Sequence, residues 1–375
     1  MQNLGKTIYL DNAATTKPCE SAKNEALKFF DEFYNPSSIY VPAIKVAKEI
    51  QNARSIILNY LGDSAGGLVF TSGATEANNL AVFQATKNKN KVIVTTMGEH
   101  PSVFNAVKNL ENQGYRCEFV PLLENGEMDL DAFAKIIEEN DVGFVSVMFV
   151  NNETGAINKI KEIGKIIKNK DKTTVFHVDA VQAFTKIPIN VKELGIDMLT
   201  ISSHKIHGLK GTGALYFSSN INIKPSILGG GQEFDRRSGT ENISGICAFA
   251  EAVQDGNEIS DKLKQKALEI IADLPDIKVN GDGINSILNI SAKGVKAEVV
   301  VRKLDECGVL ISTGSACNSH KANNRVLSAM GVKKELIEGT NRFSFSKYTT
   351  MDEVEYAFSK YAEIIKELRS IWEKF

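Results

Sequence analysis

The chain has 375 residues, 43% of them apolar and 24% charged, a composition typical of a globular protein with room for two domains. Its formal net charge is −2, so the charge favours neither nucleic acid nor a membrane surface as a partner. Five scattered cysteines and a polar N-terminus without an apolar leader argue against a disulfide framework and predict a cytoplasmic protein.

Short apolar segments alternate with helical patterns between about residues 68 and 217. They read, in chain order, "LVFTS", "KVIVTT", "VGFVSVMFV", "TTVFHV" and "IDMLTI", and the longest is too short to span a membrane. This βαβ alternation predicts a largely parallel sheet covered by helices, with its ligand beyond the carboxyl ends of the strands. The polar residues expected to converge there are Thr75, His100, Asn152, Asp179 and Lys205.

The pattern changes after about residue 243. One long helical stretch, residues 243–274, is predicted to connect two domains, and shorter strands follow in "SILNIS", "GVLIS" and "NRFSFS". Helices are expected at about 297–307 and 351–373. We therefore predict a large domain over residues 13–250 and a small α/β domain formed by residues 1–12 and 251–375.

Three features of the large domain suggest a cofactor. The motif "TSGATEANN" follows a strand and opens a helix, which suits a phosphate group but also an ordinary capped helix. Asp179 directly follows a strand and could pair with a protonated ring nitrogen or simply cap a helix. Lys205 could form a Schiff base, although most lysines are solvated and Lys210 competes with it. Together these features favour pyridoxal phosphate.

The stretch "STGSACNSH" places Cys317 among small polar residues, where a thiol has no core to pack into. Its spacing to His320 could suggest zinc, but no second ligand pair stands nearby, so no metal site is predicted. His177 is expected to be a satisfied core residue, and His207 and Lys210 to be turn residues.

At this point the motifs match a known family. The chain resembles the cysteine desulfurases of the NifS/IscS type, within the class V aminotransferases, nearly from end to end. The matching segments are "YLDNAATT", "NPSS", "TSGATEANN", "EHPSV", "VNNETG", "HVDAVQ", "SSHKIHG", "GGGQE", "RSGTEN", "STGSAC" and "RFSF". Two segments depart from the usual pattern, Ile39–Tyr40 and Phe234–Arg236. The resemblance implies the α/β type I fold of pyridoxal-phosphate enzymes, in a homodimer with sites at the subunit interface.

The resemblance also implies roles for individual residues. Lys205 would bind the cofactor covalently, Asp179 would pair with its ring nitrogen, and His100 would stack on the ring and shuttle protons. Gln182 would bond the ring hydroxyl, and Asn152 would contact both cofactor and substrate. The phosphate ligands would be Ala74, Thr75, Ser202 and His204, with Thr240 reaching the phosphate of the other subunit. Arg342 would bind the substrate carboxylate together with Asn152.

The implied activity is removal of sulfur from L-cysteine, giving L-alanine and a persulfide on Cys317. The sulfur would pass to an acceptor protein, such as an iron–sulfur scaffold. Two alternatives stay open from the sequence: a selenocysteine lyase or other class V lyase or aminotransferase, and a non-catalytic protein that binds pyridoxal phosphate. The Cys317 loop and the intact set of Lys205 and His100 favour the desulfurase.

Overall fold

The structure of the chain is a computed structural model, which describes residues 7–314 and 324–372. The strands of the described residues are β1 (Ile8–Tyr9), β2 (Gly67–Thr71), β3 (Val92–Thr96), β4 (Cys117–Val120), β5 (Val142–Met148), β6 (Val175–Asp179), β7 (Met198–Ser202), β8 (Gly213–Phe217), β9 (Ile277–Val279), β10 (Ile287–Ala292), β11 (Val309–Leu310), β12 (Ser312–Thr313) and β13 (Thr340–Ser344).

The helices alternate with these strands along much of the chain. They are α1 (Glu20–Asp31), α2 (Val41–Tyr60), α3 (Ala74–Phe83), α4 (Pro101–Asn112), α5 (Leu130–Glu139), α6 (Ile160–Lys170), α7 (Gln232–Asp235), α8 (Ile243–Asp255), α9 (Asp261–Ile271), α10 (Ala297–Glu306), α11 (Arg325–Ala329), α12 (Lys334–Ile337) and α13 (Met351–Trp372). None of them is both long enough and apolar enough to cross a membrane, as far as the described residues go.

The main sheet has seven strands in the order β2-β8-β7-β6-β5-β3-β4. The pairs β3–β4, β3–β5, β5–β6 and β6–β7 are parallel, so the predicted α/β fold with a mostly parallel sheet is confirmed. Strand β8 is antiparallel to both of its neighbours. The chain returns from β7 to β8 through a short turn without a crossover helix, and such a return can only be antiparallel.

Both faces of this sheet are covered by apolar side chains. Successive residues on one strand belong to different apolar clusters: Val94 packs into the cluster on one face and Ile93 into that on the other. Leu199 and Met198 divide in the same way. A strand buried on both faces has no polar side to show, which explains the continuous apolar segments in the sequence.

A second, antiparallel sheet has the order β12-β13-β10-β9, and β1 pairs with β11 beside it. It has its own apolar cluster, which includes Ile8 and Leu263, whereas Ala13 and Val253 belong to the main cluster. Ile284 and Ile287 also pack into the main cluster although they lie beyond residue 250. The division at residues 12/13 and 250/251 stays a prediction.

The predicted single helix over residues 243–274 is wrong, because the chain forms α8 and α9 instead. Gly256 follows α8 with φ of 69°, a left-handed conformation that glycine adopts without steric cost and that ends the helix. The connection places buried Asn257 beside His207, with 3.2 Å between Asn257 Oδ1 and His207 Nε2.

Candidate active site

The carboxyl end of β6 presents Asp179, a buried carboxylate with two N–H donors. Asn78 Nδ2 donates to Asp179 Oδ2 at 2.8 Å, and the backbone N–H of Val181 donates to Oδ1 at 3.0 Å. Asn78 lies on α3, directly after β2, so side chains that follow two different strands meet at this edge. The contact supports the expectation that polar side chains after the strands meet at one edge of the sheet.

Lys205 follows β7 in a single turn of 3-10 helix, Ser203–Lys205. Its Nζ donates to the carbonyl oxygens of Ala13, at 2.7 Å, and Ala14, at 2.6 Å. The side chain is half-buried and its positive charge helps to lower the pKa of His100, whereas Lys210 is exposed. Of the two competing lysines, Lys205 is the one that lies at the sheet edge.

The start of α3 forms an open pocket for an anion. An added Cβ at Gly73, which precedes the helix, would meet nothing within 4 Å, and in the described residues no side chain caps the first turn. Ser202 Oγ is buried and has no hydrogen-bond partner among the described residues. Ser202 pairs with Gly213, whose own Cβ would lie only 2.7 Å from the Gly73 carbonyl carbon. The close approach of these two glycines brings the helix start next to the Ser202 hydroxyl.

His204, Thr75 and Thr240 have different surroundings. His204 Nδ1 lies 3.1 Å from Thr15 Oγ1, and burial together with Lys205 lowers the pKa of His204 to about 4. The ring is therefore neutral near pH 7 and can offer an N–H to an anion. Thr75 is exposed on the first turn of α3, and Thr240 is exposed in the loop before α8.

Gln182 lies deeper in the site, beside a second lysine. Its Nε2 donates to the carbonyl oxygen of Ala13 at 2.9 Å, and its Oε1 accepts from Lys186 Nζ at 2.8 Å. Burial, reinforced by the charges of Lys205 and Arg342, lowers the pKa of Lys186 to about 7. Sequence reasoning did not assign Lys186, although it lies four residues after Gln182.

Arg342 comes from β13 of the second sheet and reaches the edge of the first. Nη1 donates to the carbonyl oxygen of Asn152 at 2.8 Å, and Nη2 pairs with Asp11 Oδ1 at 2.8 Å. Arg342 Nε is buried without a hydrogen-bond partner in the described residues. This unused donor suits a carboxylate. The structure brings Arg342 and Asn152 together through the Asn152 backbone carbonyl, and their shared role in binding the substrate carboxylate stays a prediction.

His100 caps the N-terminus of α4, and its ring is largely buried. Its Nδ1 lies 2.7 Å from Ser102 Oγ and 3.2 Å from the Ser102 backbone nitrogen. Burial lowers the pKa of His100; the charge of Asp179 opposes that shift and that of Lys205 adds to it.

The donor set fits pyridoxal phosphate. The first turn of α3, the unpartnered Ser202 hydroxyl and neutral His204 would hold the phosphate; the carboxylate of Asp179 would accept from a protonated ring nitrogen. Lys205 lies at the same edge, as covalent attachment requires.

Some of the residues considered in the sequence have no role in catalysis, and others lie outside the described residues. His177 is fully buried between Ser146 Oγ, at 2.8 Å, and Thr200 Oγ1, at 3.0 Å, which confirms it as a satisfied core residue. His207 has φ of 70°, as expected of a turn residue. No metal-binding cluster of His, Cys, Asp or Glu occurs in the described parts of the chain, and Cys317 and His320 fall outside them.

Comparison with known families defines the class of the protein. The family model for class V aminotransferases matches residues 8–357, which is most of the chain. The chain therefore belongs to the class V aminotransferase family, whose members depend on pyridoxal phosphate, in keeping with the donor set.

Comparison with similar proteins indicates which activity within this class the chain has. The cysteine desulfurase of Nostoc sp. is 37% identical over 97% of this chain and 94% of its own length. A solved NifS-like protein superposes with a TM-score of 0.88 at 31% identity, covering 96% of this chain and all of its own. Another solved structure, SspA in complex with cysteine, has a TM-score of 0.82 at 31% identity, over 92% of this chain and 100% of its own. Within its family the chain is a pyridoxal-phosphate-dependent cysteine desulfurase.

Proposed function

We propose that the protein removes sulfur from L-cysteine, releases L-alanine and carries the sulfur as a persulfide on Cys317. The observation that carries this proposal is the meeting of Asp179, His100 and Lys205 at one sheet edge, to which Arg342 is joined through the carbonyl oxygen of Asn152. The similar structure in complex with cysteine supports the choice of substrate.

The site residues divide the chemistry among them. When bound, pyridoxal phosphate supplies an electron sink for the charge that develops at the substrate Cα. Arg342 would orient cysteine by its carboxylate, and the amine of Lys205 would take the proton from Cα. Asp179, with its two N–H donors in place, would keep the ring nitrogen protonated.

Sulfur transfer then needs a thiolate. The Sγ of Cys317 would bond to the substrate sulfur while the substrate Cβ–S bond breaks. Cβ leaves with the bonding electron pair and takes up a proton, and the proton that Lys205 took from Cα returns there, which gives alanine. An ordinary cysteine has a pKa of about 8.5, so the thiol of Cys317 must lose its proton to a neighbouring group before it attacks.

The proposal also includes the oligomeric state of the protein, its sulfur acceptor and its location. Thr240 would reach the phosphate site of a second copy of the chain, in a homodimer. Its exposure supports this, as do two exposed apolar side chains that shortly precede it in the chain, Leu228 and Phe234, at 81% and 57% of their surface. The acceptor of the sulfur would be another protein, such as an iron–sulfur scaffold, in the cytoplasm.

Two substitutions test the proposal on the cofactor-loaded protein. Wild type should be yellow, and Lys205→Ala should lose the visible absorbance band of the lysine-bound cofactor, because no amine remains to bind it. Cys317→Ser should keep the band but release sulfide from cysteine at least about 100-fold more slowly under reductant, because a hydroxyl is a far weaker nucleophile than a thiolate.

Cys307→Ser is the matched control, since Cys307 is a half-buried free thiol at the end of α10. It should behave as wild type. A colourless wild type would contradict the cofactor assignment, and normal turnover by Cys317→Ser would contradict the carrier role of Cys317. Parallel assays with selenocysteine would distinguish a selenocysteine lyase from a desulfurase.

A further inference from the structure

Asp179 fixes the orientation of the hydrogen bonds that connect it, through Asn78 and Ser102, to His100. A carboxylate only accepts hydrogen bonds, so the group of Asn78 that faces Asp179 Oδ2 at 2.8 Å must be its NH2. The same nitrogen lies 2.9 Å from Ser102 Oγ. One hydrogen of the amide therefore goes to Asp179 and the other to Ser102, whose oxygen is the acceptor.

The next link is the Ser102 hydroxyl. Its oxygen already accepts from Asn78, and its own hydrogen points to the remaining neighbour, His100 Nδ1, at 2.7 Å. The backbone N–H of Ser102 also donates to His100 Nδ1, at 3.2 Å. Two donors thus face one ring nitrogen, and a nitrogen that carried a proton could accept from neither.

We propose that Asn78 and Ser102 are positioning residues that hold His100 as the neutral tautomer with its proton on Nε2. They act at the Nδ1 edge of the ring, and neither is assigned a contact with substrate or cofactor. The assignment deepens the proposed function, and its catalytic meaning rests on the role proposed there for His100.

The charges around His100 are mixed in sign. Asp179 on β6 favours a positive ring, whereas Lys205 after β7 and Arg325 on α11 disfavour it, and Glu99 precedes it in the chain. Protonating Nδ1 would also set an N–H against the Ser102 backbone N–H, which cannot rotate away. Leaving one buried donor unpaired disfavours a state by roughly 5-fold to 150-fold.

A fixed tautomer determines whether His100 first acts as a donor or as an acceptor in its proposed role. With its proton on Nε2, neutral His100 has a donor at that nitrogen and cannot take a proton from a thiol there. His100 therefore acts first as a hydrogen-bond donor, and the base that activates Cys317 must be another group.

Nuclear magnetic resonance of the cofactor-loaded protein, labelled with nitrogen-15 in its five histidines, tests this. His100→Gln identifies the signals of His100 by their loss. Wild type should show a protonated Nε2 and an unprotonated Nδ1 above about pH 7.5, where a histidine with a lowered pKa is neutral. Ser102→Ala removes one of the two opposing donors, so the pKa of His100 should rise by roughly half a pH unit to one pH unit.

Ser102→Thr keeps both donors and should restore the wild-type signals. Ser55→Ala is the matched control, because Ser55 is an exposed helical serine whose hydroxyl donates to the Gln51 carbonyl at 2.9 Å. A proton on Nδ1 in wild type, or an unchanged pKa in Ser102→Ala, would overturn the proposal. Undiminished sulfide release by His100→Gln would refute the catalytic role of His100 and leave the tautomer assignment standing.

Discussion

The ring of His177 is a neutral, fully buried group two residues before Asp179. It bonds to one hydroxyl on β5 and one on β7, so three neighbouring strands are joined through it. Burial lowers its pKa to about 3, far below the value of about 6.5 that it has in an unfolded chain. The contribution of His177 to the stability of the fold therefore depends on pH.

We predict the sign of that dependence. Between pH 3 and 6.5 the unfolded chain binds a proton at His177 that the folded chain does not, so stability falls as pH decreases in this window. For this residue alone, the loss between pH 7 and pH 5 should be about 2 kcal/mol. Urea unfolding at both pH values should show that His177→Gln loses less stability on acidification than wild type. An equal loss in both proteins would contradict the assignment.

The site residues that could be predicted from the sequence share a simple signal. His100, Asp179 and Lys205 follow apolar strands, and collinear motifs identify the family. Asn78 and Ser102 lie inside two of those motifs, "TSGATEANN" and "EHPSV", but their bond to each other depends on how α3 packs beside α4. A single sequence does not encode that contact in any local pattern.

Among the elements, the short segment α7 has the least regular backbone. Its residues Glu233 and Phe234, and Asp235 after them, have φ of 49°, 57° and 63°, a left-handed conformation that costs energy for any residue with a side chain. Buried Glu233 offsets that cost by pairing with Arg54 through both oxygens, each at 2.9 Å. It also accepts from the backbone N–H of Phe70 at 2.9 Å. The departure at Phe234–Arg236 is thus a structured turn.

We predict that Arg54→Met destabilises the protein by about 3–5 kcal/mol, because it leaves the Glu233 carboxylate buried without its partner. Adding Glu233→Gln should recover part of that loss, since the amide carries no charge. The free energy of unfolding in urea is the measurement. Lys303→Met, which breaks the exposed pair with Glu367, is the control and should cost less than about 1 kcal/mol. Similar losses in the two single variants would contradict the prediction.

On the scale of the whole molecule, arginines connect the second sheet and its loops to the edge of the first. Arg342 does so at Asn152, and Arg325, which begins α11, donates to the carbonyl oxygens of Met97 and Glu99. The guanidinium of Arg325 also lies 3.9 Å from the centre of the Phe104 ring. Arg325 therefore ties the chain that follows the Cys317 segment to the turn that precedes His100.

We predict that Arg325→Met keeps the cofactor band but slows formation of the Cys317 persulfide roughly ten-fold or more, because the segment loses its fixed end. Rapid quenching and mass spectrometry of the Cys317 peptide would measure the rate. Arg302→Met, at an exposed position on α10, is the matched control and should have the wild-type rate. A wild-type rate in Arg325→Met would show that these contacts do not matter for transfer.

The change in sequence pattern after about residue 243 is followed in the structure by the strands of the second sheet, which has its own apolar cluster. The antiparallel strand β8 and the break between α8 and α9 were harder to predict. Strand β8 is antiparallel because the chain returns to it from β7 without a crossover helix. The break between α8 and α9 depends on Gly256, which lies inside a stretch that otherwise favours helix. In both cases a few residues determine the structure, although the surrounding sequence favours a different one.

The contact between Gly73 and Gly213 sets a limit on how this protein can be altered. A side chain at residue 213 would collide with the backbone of Gly73 and with the carbonyl oxygen of Ile201, neither of which another substitution can shrink. In a saturation library this position would tolerate glycine only, and no second-site suppressor could rescue a loss there. Directed evolution of the enzyme therefore has to leave this crossing of two chain segments unchanged.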